Sequence, residues 1–399
     1  MPNFEEIAAY RVQIVRDAVG LKKKPDRVPH ISHFVTWKII DAGYKLTEAL
    51  RDWDVMEKVV CRFQEKYRFD GLVEFGHRNN YLTSQIMGSS RYIINDEAGS
   101  VSYLDFAQCE EGELLEYVGN PRKFKWEKTM ARKYPFWTGE FDIDILNRAY
   151  RANMEYLQFM GFDLHGRMPT KLLQEYGVPY YIDPKGSAPI AIETIFNHLR
   201  GIRGTSIDMR RHTAELREAI TIMDETGFKP GLEAMRKKPD GSRMCSTFDS
   251  DQILLAHTIL NEKQWEEFYW PYLRQIVDLH GEKGWTMRLF TEGSSKRFWP
   301  YFREFPAGVV ALHLEADDVF EARAALPNCC IMGGMSNELL GRGTKKECLD
   351  LAKRLIDELG SQAGFILSQP KMGSYRNDAN PENLKAVCDF VLEYRPSQN

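Results

Sequence analysis

The sequence feature that most limits the fold is a regular alternation of short apolar segments with longer amphipathic segments in the second half of the chain. The apolar segments have the length and composition of buried strands. The segments between them repeat apolar residues every three or four positions, which is typical of helices. From Met244 onward the predicted strands lie at about 244–248, 286–291, 309–314, 328–333 and 364–368. Strands that alternate with helices predict a parallel sheet.

The first half of the chain adds three predicted strands, near residues 28, 71 and 178, so that eight strands are each followed by a helical segment. Eight such units in 399 residues predict an α/β fold of the (β/α)8 TIM-barrel type. The alternative is an open doubly wound sheet, but the sequence lacks the glycine-rich phosphate turn that such sheets carry after an early strand. No repeat or low-complexity linker divides the chain, so residues 1–399 are predicted to form a single domain.

Two parts of the chain lie outside this alternation. Residues 4–20 are predicted to form a helix that packs on the outside of the domain as an N-terminal extension. Residues 90–142 contain two short strand-like pieces among aromatic and basic turns. They predict an excursion from the main framework that forms a hairpin or a lid over the site. Residues 143–160 are predicted to be helical again.

Several helix ends carry their own signals. Asn261 followed by Gln264, and Thr344 followed by Glu347, have the spacing of a capping box, in which two residues satisfy each other's backbone N–H groups. These pairs predict that helices begin at residues 262 and 345.

Composition excludes several classes of function. The net charge is −4 and no long basic block is present, which argues against a nucleic-acid binder that relies on phosphate neutralisation. The seven cysteines include no CxxC pair, which favours a reducing compartment over a disulfide framework. The N-terminal segment has neither a signal-peptide pattern nor a membrane span. The protein is therefore predicted to be cytoplasmic, without a nucleic-acid or membrane partner.

The segment from Trp285 to Lys296 is the first candidate for a functional site. An apolar strand ends at Phe290 and is followed by the lone acid Glu292 and by Gly293, which permits a sharp turn. Either of the two serines that follow can cap the helix that begins at Lys296. Because strand ends carry the chemistry in parallel α/β folds, Glu292 is predicted to be a general acid or base, or a ligand for a hard metal ion. The alternative for Glu292 is a capping or salt-bridged acid.

Other polar side chains follow or end predicted strands and are expected on the same rim. His313 ends the sixth strand, and Glu315 lies on the same face two residues later, so His313 joins Glu292 as a candidate metal ligand. The alternative for His313 is a core histidine with both nitrogens bonded. Asp249 follows the fourth strand and is a third catalytic candidate. Arg288 lies within the fifth strand and is expected to point inward and pair with an acid. The predicted substrate-binding residues are His33, His77, Asn79, Arg288 and Lys371.

Several segments together resemble the uroporphyrinogen decarboxylase-like superfamily over nearly the whole chain. They include FDGLVEFG, LRGIRGTSIDMRR and CCIMGGMSNELLGRGTKKECLDLAKRLIDELGSQAGFIL followed by NPENLKAV. The order and spacing of these segments carry the resemblance, rather than one motif. The resemblance implies a (β/α)8 barrel, because that superfamily has this fold and includes uroporphyrinogen decarboxylases and corrinoid-linked methyltransferases.

Departures from the family patterns narrow the expected activity. True decarboxylases carry an arginine-rich segment after the first strand, where this chain has HISHFVTWK, and an aspartate after the second strand, where it has Asn79. Decarboxylation of uroporphyrinogen is therefore not expected. Thiol-directed methyltransferases hold zinc with His-x-Cys-Gly and a further cysteine. The matching positions here are Phe290, Glu292 and Lys371, so a thiolate zinc site is not expected either.

The resemblance thus implies a divergent methyltransferase that moves a methyl group between a corrinoid and a small molecule. Asp163 and His165 resemble the start of the corrinoid-binding DxHxxG motif, but Met168 stands where its glycine is expected. The cobalamin or other corrinoid is therefore expected on a separate partner protein. Two alternatives remain open. One is a decarboxylase or lyase that binds a small carboxylate through Arg288 or Lys371, and the other is a non-catalytic ligand-binding barrel. A homo-oligomer is compatible with the sequence.

Overall fold

The fold is described by a computed structural model that covers residues 3–75, 81–89, 92–104, 107–137, 142–163, 166–183, 185–241 and 245–395. Its strands in chain order are β1 (Ile31–Ser32), β2 (Gly71–Leu72), β3 (Tyr92–Asn95), β4 (Ser100–Tyr103), β5 (Tyr180–Ile182), β6 (Ser246–Phe248), β7 (Ser250–Leu254), β8 (Met287–Thr291), β9 (Val310–Leu314), β10 (Cys330–Gly334) and β11 (Phe365–Ser368).

Helices connect these strands. The α-helices of the described residues are α1 (Phe4–Gly20), α2 (Trp37–Asp41), α3 (Leu46–Ala49), α4 (Trp53–Tyr67), α5 (Tyr81–Ile86), α6 (Leu114–Gly119), α7 (Pro121–Phe124), α8 (Met130–Lys133), α9 (Ile143–Phe162), α10 (Arg167–Tyr176), α11 (Ala191–Thr194), α12 (Gly201–Arg211), α13 (Thr213–Met223), α14 (Lys229–Arg236), α15 (Glu262–Phe268), α16 (Trp270–Lys283), α17 (Trp299–Phe302), α18 (Val319–Ala325), α19 (Asn337–Arg342), α20 (Lys345–Leu359) and α21 (Pro381–Glu393). Short 3-10 turns span Ala256–Ile259, Lys296–Phe298 and Arg376–Asp378, and π-helical turns span Lys125–Thr129, Ile195–Arg200 and Asp224–Phe228.

The strands of the framework are parallel and follow one another in space in nearly the order of the sequence. A five-stranded sheet has the order β11-β10-β9-β8-β7. A parallel bridge between His30 and Leu367 joins β1 to β11, and β1 pairs with β2. At the other edge β7 continues from β6, which pairs with β5. Strands β2 and β5 lie in contact, but no ladder of hydrogen bonds joins them within the described residues.

Helix α1 packs one face against this sheet. Its Val15, Ala18 and Val19 form a buried cluster with strand side chains from opposite parts of the sheet. The strand members of this cluster are Ile31, Phe248, Ala311, Cys330, Met332 and Ile366. The sheet must therefore curve around α1. The expected helix is present at Phe4–Gly20, and it packs on the outside of the domain as predicted, because Glu5, Glu6 and Gln13 are exposed while its apolar stripe is buried against the strands.

The predicted elements agree well with the structure from residue 244 onward and less well before it. Both capping boxes are present, at Asn261 and at Thr344. Helices α3 and α4 are separate, and the helix that begins at residue 262 as predicted ends at Phe268 and is followed by α16. Asp52 caps a new helix by accepting hydrogen bonds from backbone N–H groups. In the second case Pro271 lies in the first turn of α16, where its missing N–H group is tolerated.

The excursion at residues 90–142 contains an antiparallel hairpin of β3 and β4, followed by short helices. The hairpin agrees with one of the two expectations for this segment. None of the helices in the part of the chain that the structure describes has the length and hydropathy that a bilayer crossing requires. All seven cysteines are free thiols.

A buried ionic cluster connects α1, the segment before β1 and the start of β2. Asp70 is fully buried and accepts two hydrogen bonds from Arg27, at 2.6 and 2.5 Å, and one from the backbone N–H of His30. The Nε atom of Arg11, from α1, lies 3.5 Å from the same carboxylate. Burial raises the pKa of Asp70, but the neighbouring arginines outweigh burial and hold this pKa below its usual value. Asp70 therefore stays ionised and holds the three segments together.

Replacing Asp70 by asparagine should lower the free energy of unfolding by about 3–5 kcal/mol, because two buried guanidinium groups lose their countercharge. Urea unfolding followed by circular dichroism measures this loss. The control is Asp389→Asn, which breaks a solvent-exposed pair with Arg68 and should cost about 1 kcal/mol or less. Equal losses in the two variants would contradict the structural role of Asp70.

Candidate active site

The candidate site is built around Arg288, in the middle of β8. Its side chain is 1% exposed, so its charge requires polar partners. Asp251 faces Arg288 across the pair of β7 and β8. Its carboxylate accepts hydrogen bonds from Nη1 at 3.0 and 3.2 Å. Arg288 thus points inward and pairs with an acid, as predicted. Burial lowers the pKa of Arg288, but Tyr181 and Asp251 outweigh burial and raise this pKa above its usual value.

Two histidines accept further hydrogen bonds from the same guanidinium. The Nε atom of Arg288 donates to Nδ1 of His313 at 2.9 Å, and Nη2 lies 3.3 Å from Nε2 of His33. An arginine can only donate, so each of these imidazole nitrogens must lack a proton. Nε2 of His313 lies 2.8 Å from the backbone oxygen of Gln369 and must therefore carry the proton. Burial and the charge of Arg288 lower the pKa of His313 well below its usual value. The hydrogen bonds and the lowered pKa therefore both indicate a neutral imidazole.

Two polar groups in or beside this cluster have capacity left for a ligand. Gln369 follows β11, and its Oε1 accepts a hydrogen bond from the backbone N–H of His33 at 3.0 Å. Its buried Nε2 has no partner within the described residues. The hydroxyl of Tyr181 is buried beside Arg288 and Asp251 and interacts with both, although it makes no hydrogen bond of regular geometry to a described residue. Buried donors without partners are rare in native proteins and mark places where another molecule can bind.

Glu292 directly follows the C-terminal end of β8, four residues after Arg288 in the chain. Side chains two residues apart on a strand share a face. Glu292 is therefore on the same face as Phe290, whose ring lies under the guanidinium of Arg288 at 4.7 Å and against the His33 and His313 rings. The Glu292 side chain is half-buried. Its predicted role in proton transfer is compatible with this position and remains a prediction.

The turn after Glu292 is held by acids from the next strand. Gly293 has a φ of 71°, a conformation that favours glycine, and its N–H donates to Glu315 at 2.5 Å. Asp317 accepts hydrogen bonds from the backbone and the hydroxyl of Ser295, at 2.7 and 2.8 Å. The expectation that a serine caps the next helix was wrong, because the serine hydroxyls donate to Asp317 instead.

Asp249 does not lie at a strand end. It is the single residue between β6 and β7, and the strand continues to Leu254. Its carboxylate is fully buried and accepts a hydrogen bond from the N–H of Thr286 at 2.9 Å, and Nη1 of Arg16 lies 3.5 Å away. These contacts place the Asp249 carboxylate beside the N-terminal end of β8, two residues before Asp251 in the chain. Its location on the rim was therefore wrongly predicted, and its catalytic role is untested.

The remaining predicted residues are placed as follows. Lys371 is exposed, two residues beyond Gln369 on the loop after β11. His77 and Asn79 lie outside the described residues. Hence the structure brings together His33, Arg288 and His313, with Glu292 on the same face.

A metal ion would have to compete with existing hydrogen bonds. Both ring nitrogens of His313 are engaged, one by Arg288 and the other by the Gln369 carbonyl. Within the described residues no group of three or more histidine, cysteine or acidic side chains could hold a metal ion. An ion held by Glu292 and His313 would require one of those two hydrogen bonds to break.

Sequence reasoning missed Asp251, Tyr181 and Gln369. Asp251 was missed because the fourth strand was ended at residue 248, whereas the alternation of side chains continues through a one-residue interruption. Gln369 directly follows the last predicted strand, so its position was available as a signal. Tyr181 resembles an ordinary strand residue, and only its buried hydroxyl beside Arg288 and Asp251 distinguishes it.

Comparisons with known proteins agree with this architecture. A model of the uroporphyrinogen decarboxylase (URO-D) family matches residues 192–394, just over half of the chain, and the chain therefore belongs to this family. The resemblance noted in the sequence is thus confirmed. A solved methyltransferase from Methanosarcina mazei has a similar fold, with a TM-score of 0.54 and 14% sequence identity over 96% of this chain and 98% of that chain. A comparison with curated proteins found no significant match.

The hydrogen bonds around Arg288 predict the tautomer of His313. In protein labelled with nitrogen-15, the imidazole of His313 should carry its proton on Nε2 and remain neutral from about pH 8 down to about pH 5. Its signal is identified by its loss in His313→Gln. His280 is the internal control, because its Nδ1 lies 2.7 Å from the carbonyl of Ile276 and its Nε2 lies 2.6 Å from the hydroxyl of Ser250. It should show the opposite tautomer. Titration of His313 near its usual pKa would contradict the proposed donation from Arg288.

Proposed function

We propose that this protein is a cytoplasmic methyltransferase that moves a methyl group between a small molecule at the Arg288 site and a corrinoid on a separate partner protein.

We further propose that the strands close into a (β/α)8 barrel. The strand order supports closure, because neighbours in sequence are neighbours in space and β1 meets the last strand. A doubly wound sheet reverses its strand order at an internal point. The free thiols support a reducing compartment.

The observation that carries the functional proposal is the balance of charge in the site. Asp251 neutralises Arg288, and His313 is neutral. The uncharged donors that a ligand can engage are the amide of Gln369, which has no partner in the described residues, and the hydroxyl of Tyr181, which would exchange its contact with Asp251 for the ligand. A porphyrinogen with several carboxylates needs several free cations, which this cluster does not offer. One or two acceptor atoms on a small, weakly charged molecule fit these donors better.

The chain's own residues can bind and orient such a molecule and control a proton. Tyr181 and Gln369 would hold an oxygen or nitrogen of the substrate, and the buried Arg288 cluster would fix their positions. Burial, together with Asp251, raises the pKa of the Tyr181 hydroxyl well above its usual value, so it remains a donor. When methyl leaves an ether-type oxygen, that oxygen must gain a proton, and we propose that Glu292 supplies it. The corrinoid, brought by its partner, supplies the centre that takes or gives the methyl group.

The alternatives receive less support from the geometry. A lyase that binds a small carboxylate through Arg288 would have to separate Arg288 from Asp251. Asp251 already accepts both of the close hydrogen bonds from Nη1 of Arg288. Lys371 is exposed and is a weaker anchor because water competes for its charge. A binding protein without catalysis has no need for an acid at the open end of the cluster, and it would retain its function when Glu292 is replaced.

The test is methyl transfer to reduced cobalamin from a panel of methoxylated aromatic compounds and methylamines, followed by the absorbance of the methylated product. We expect turnover by the unaltered protein, and a loss of about a hundredfold or more in Glu292→Gln at an unchanged melting temperature. Tyr181→Phe should chiefly raise KM, because it removes one substrate contact. The control Glu358→Gln alters an exposed acid on α20 and should leave turnover unchanged.

Two results would contradict the proposal. Release of carbon dioxide from a small carboxylate without any corrinoid would favour the lyase. Full turnover by a stable Glu292→Gln variant would remove Glu292 from the reaction.

A further inference from the structure

The outer face of helix α9 is unusually apolar. Half of the large apolar side chains that are exposed in the described residues lie on this one helix. They are Ile143 (60% exposed), Leu146 (50%), Tyr150 (64%), Met154 (41%), Tyr156 (46%), Leu157 (54%) and Met160 (39%). Contiguous apolar patches of this kind mark interaction surfaces in soluble proteins.

The pattern within this outer apolar strip is that of a helix that packs against another helix. Positions 143, 146, 150, 153, 157 and 160 repeat with alternating steps of three and four residues, which is the heptad spacing of paired helices. The opposite face of α9 is already used, because Ile145 and Ala152 are buried against Met87, Tyr134 and Trp137. Helix α9 therefore has one face in its own domain and a second face ready for a partner.

The area of the strip is close to that of a stable interface. If a large side chain offers about 200 Å² when fully exposed, the seven residues leave about 700 Å² of surface uncovered. A standard interface buries about 800 Å² on each partner. The helix is about 30 Å long, and the positions on either side of the heptad repeat, Asn147, Ala149, Met154 and Tyr156, carry no charge. Two such strips can meet without like-charge repulsion.

We propose that the partner of this strip is a second copy of the chain and that the protein is a homodimer through α9. A twofold axis brings the same patch of both copies together, so a strip with a regular apolar repeat is complementary to itself. Asn153, exposed within the repeat, would fix the register, since a single asparagine in a helix pair favours the alignment in which its amide finds a partner. This inference is independent of the reaction proposed above.

The experiment measures the mass of the full-length chain in solution by sedimentation and by light scattering after size exclusion. We expect a dimer at about 10 µM chain, as for an interface of standard size. Leu157→Glu should raise the dissociation constant about tenfold or more, because both copies would bury a carboxylate. The matched control is Ile202→Glu, which changes an apolar residue of similar exposure (59%) on α12 and should leave the dimer intact.

Circular dichroism and melting temperature confirm that each variant is folded, and Asn153→Ala provides a second, milder probe of the same strip. A monomer at 10 µM and about tenfold above it would overturn the proposal and assign the strip to a different protein. A dimer that persists unchanged in folded Leu157→Glu would overturn it as well, because the copies would then meet elsewhere.

Discussion

The guanidinium of Arg288 imposes a constraint on every strand around it, because a full charge lies in the middle of a sheet and is shielded from water. Asp251 supplies the countercharge from β7, while His313 in β9 and His33, directly after β1, supply neutral acceptors. Each partner depends on the register of its strand, since a shift of one residue would turn the side chain to the other face. The polar cluster and the sheet geometry therefore support each other.

This arrangement also limits the chemistry of the site. The histidines are occupied as acceptors for Arg288, so they are better suited to positioning than to proton transfer or metal binding. In the proposed reaction, proton transfer would fall to Glu292, which is half-buried and shares a face of β8 with Arg288. The donors of Tyr181 and Gln369 would then bind a ligand with acceptor atoms.

Agreement between sequence and structure follows the length and burial of the elements. Strands β8 to β11 are apolar and buried on both sides, and their boundaries were predicted to within about two residues. Strands β1 and β2 have only two residues each, too few for a periodic pattern. Asp251 was missed for a related reason, since Asp249 interrupts the strand and the pattern resumes only after it. The strands that α1 packs against could not be predicted because an amphipathic pattern shows that one face is buried but not what covers it.

The sequence by itself determined the family, the parallel α/β framework, the capping boxes and the candidates Glu292, Arg288, His33 and His313. These depend on local patterns or on residues at strand ends, which are legible along the chain. Only the tertiary structure decided which acid pairs with Arg288, that Asp249 lies below the site, that the Gln369 amide is buried beside it without a partner in the described residues, and that α9 leaves an apolar strip uncovered. Hydrogen-bond pairing and burial depend on distances between residues far apart in sequence, and neither composition nor periodicity contains those distances.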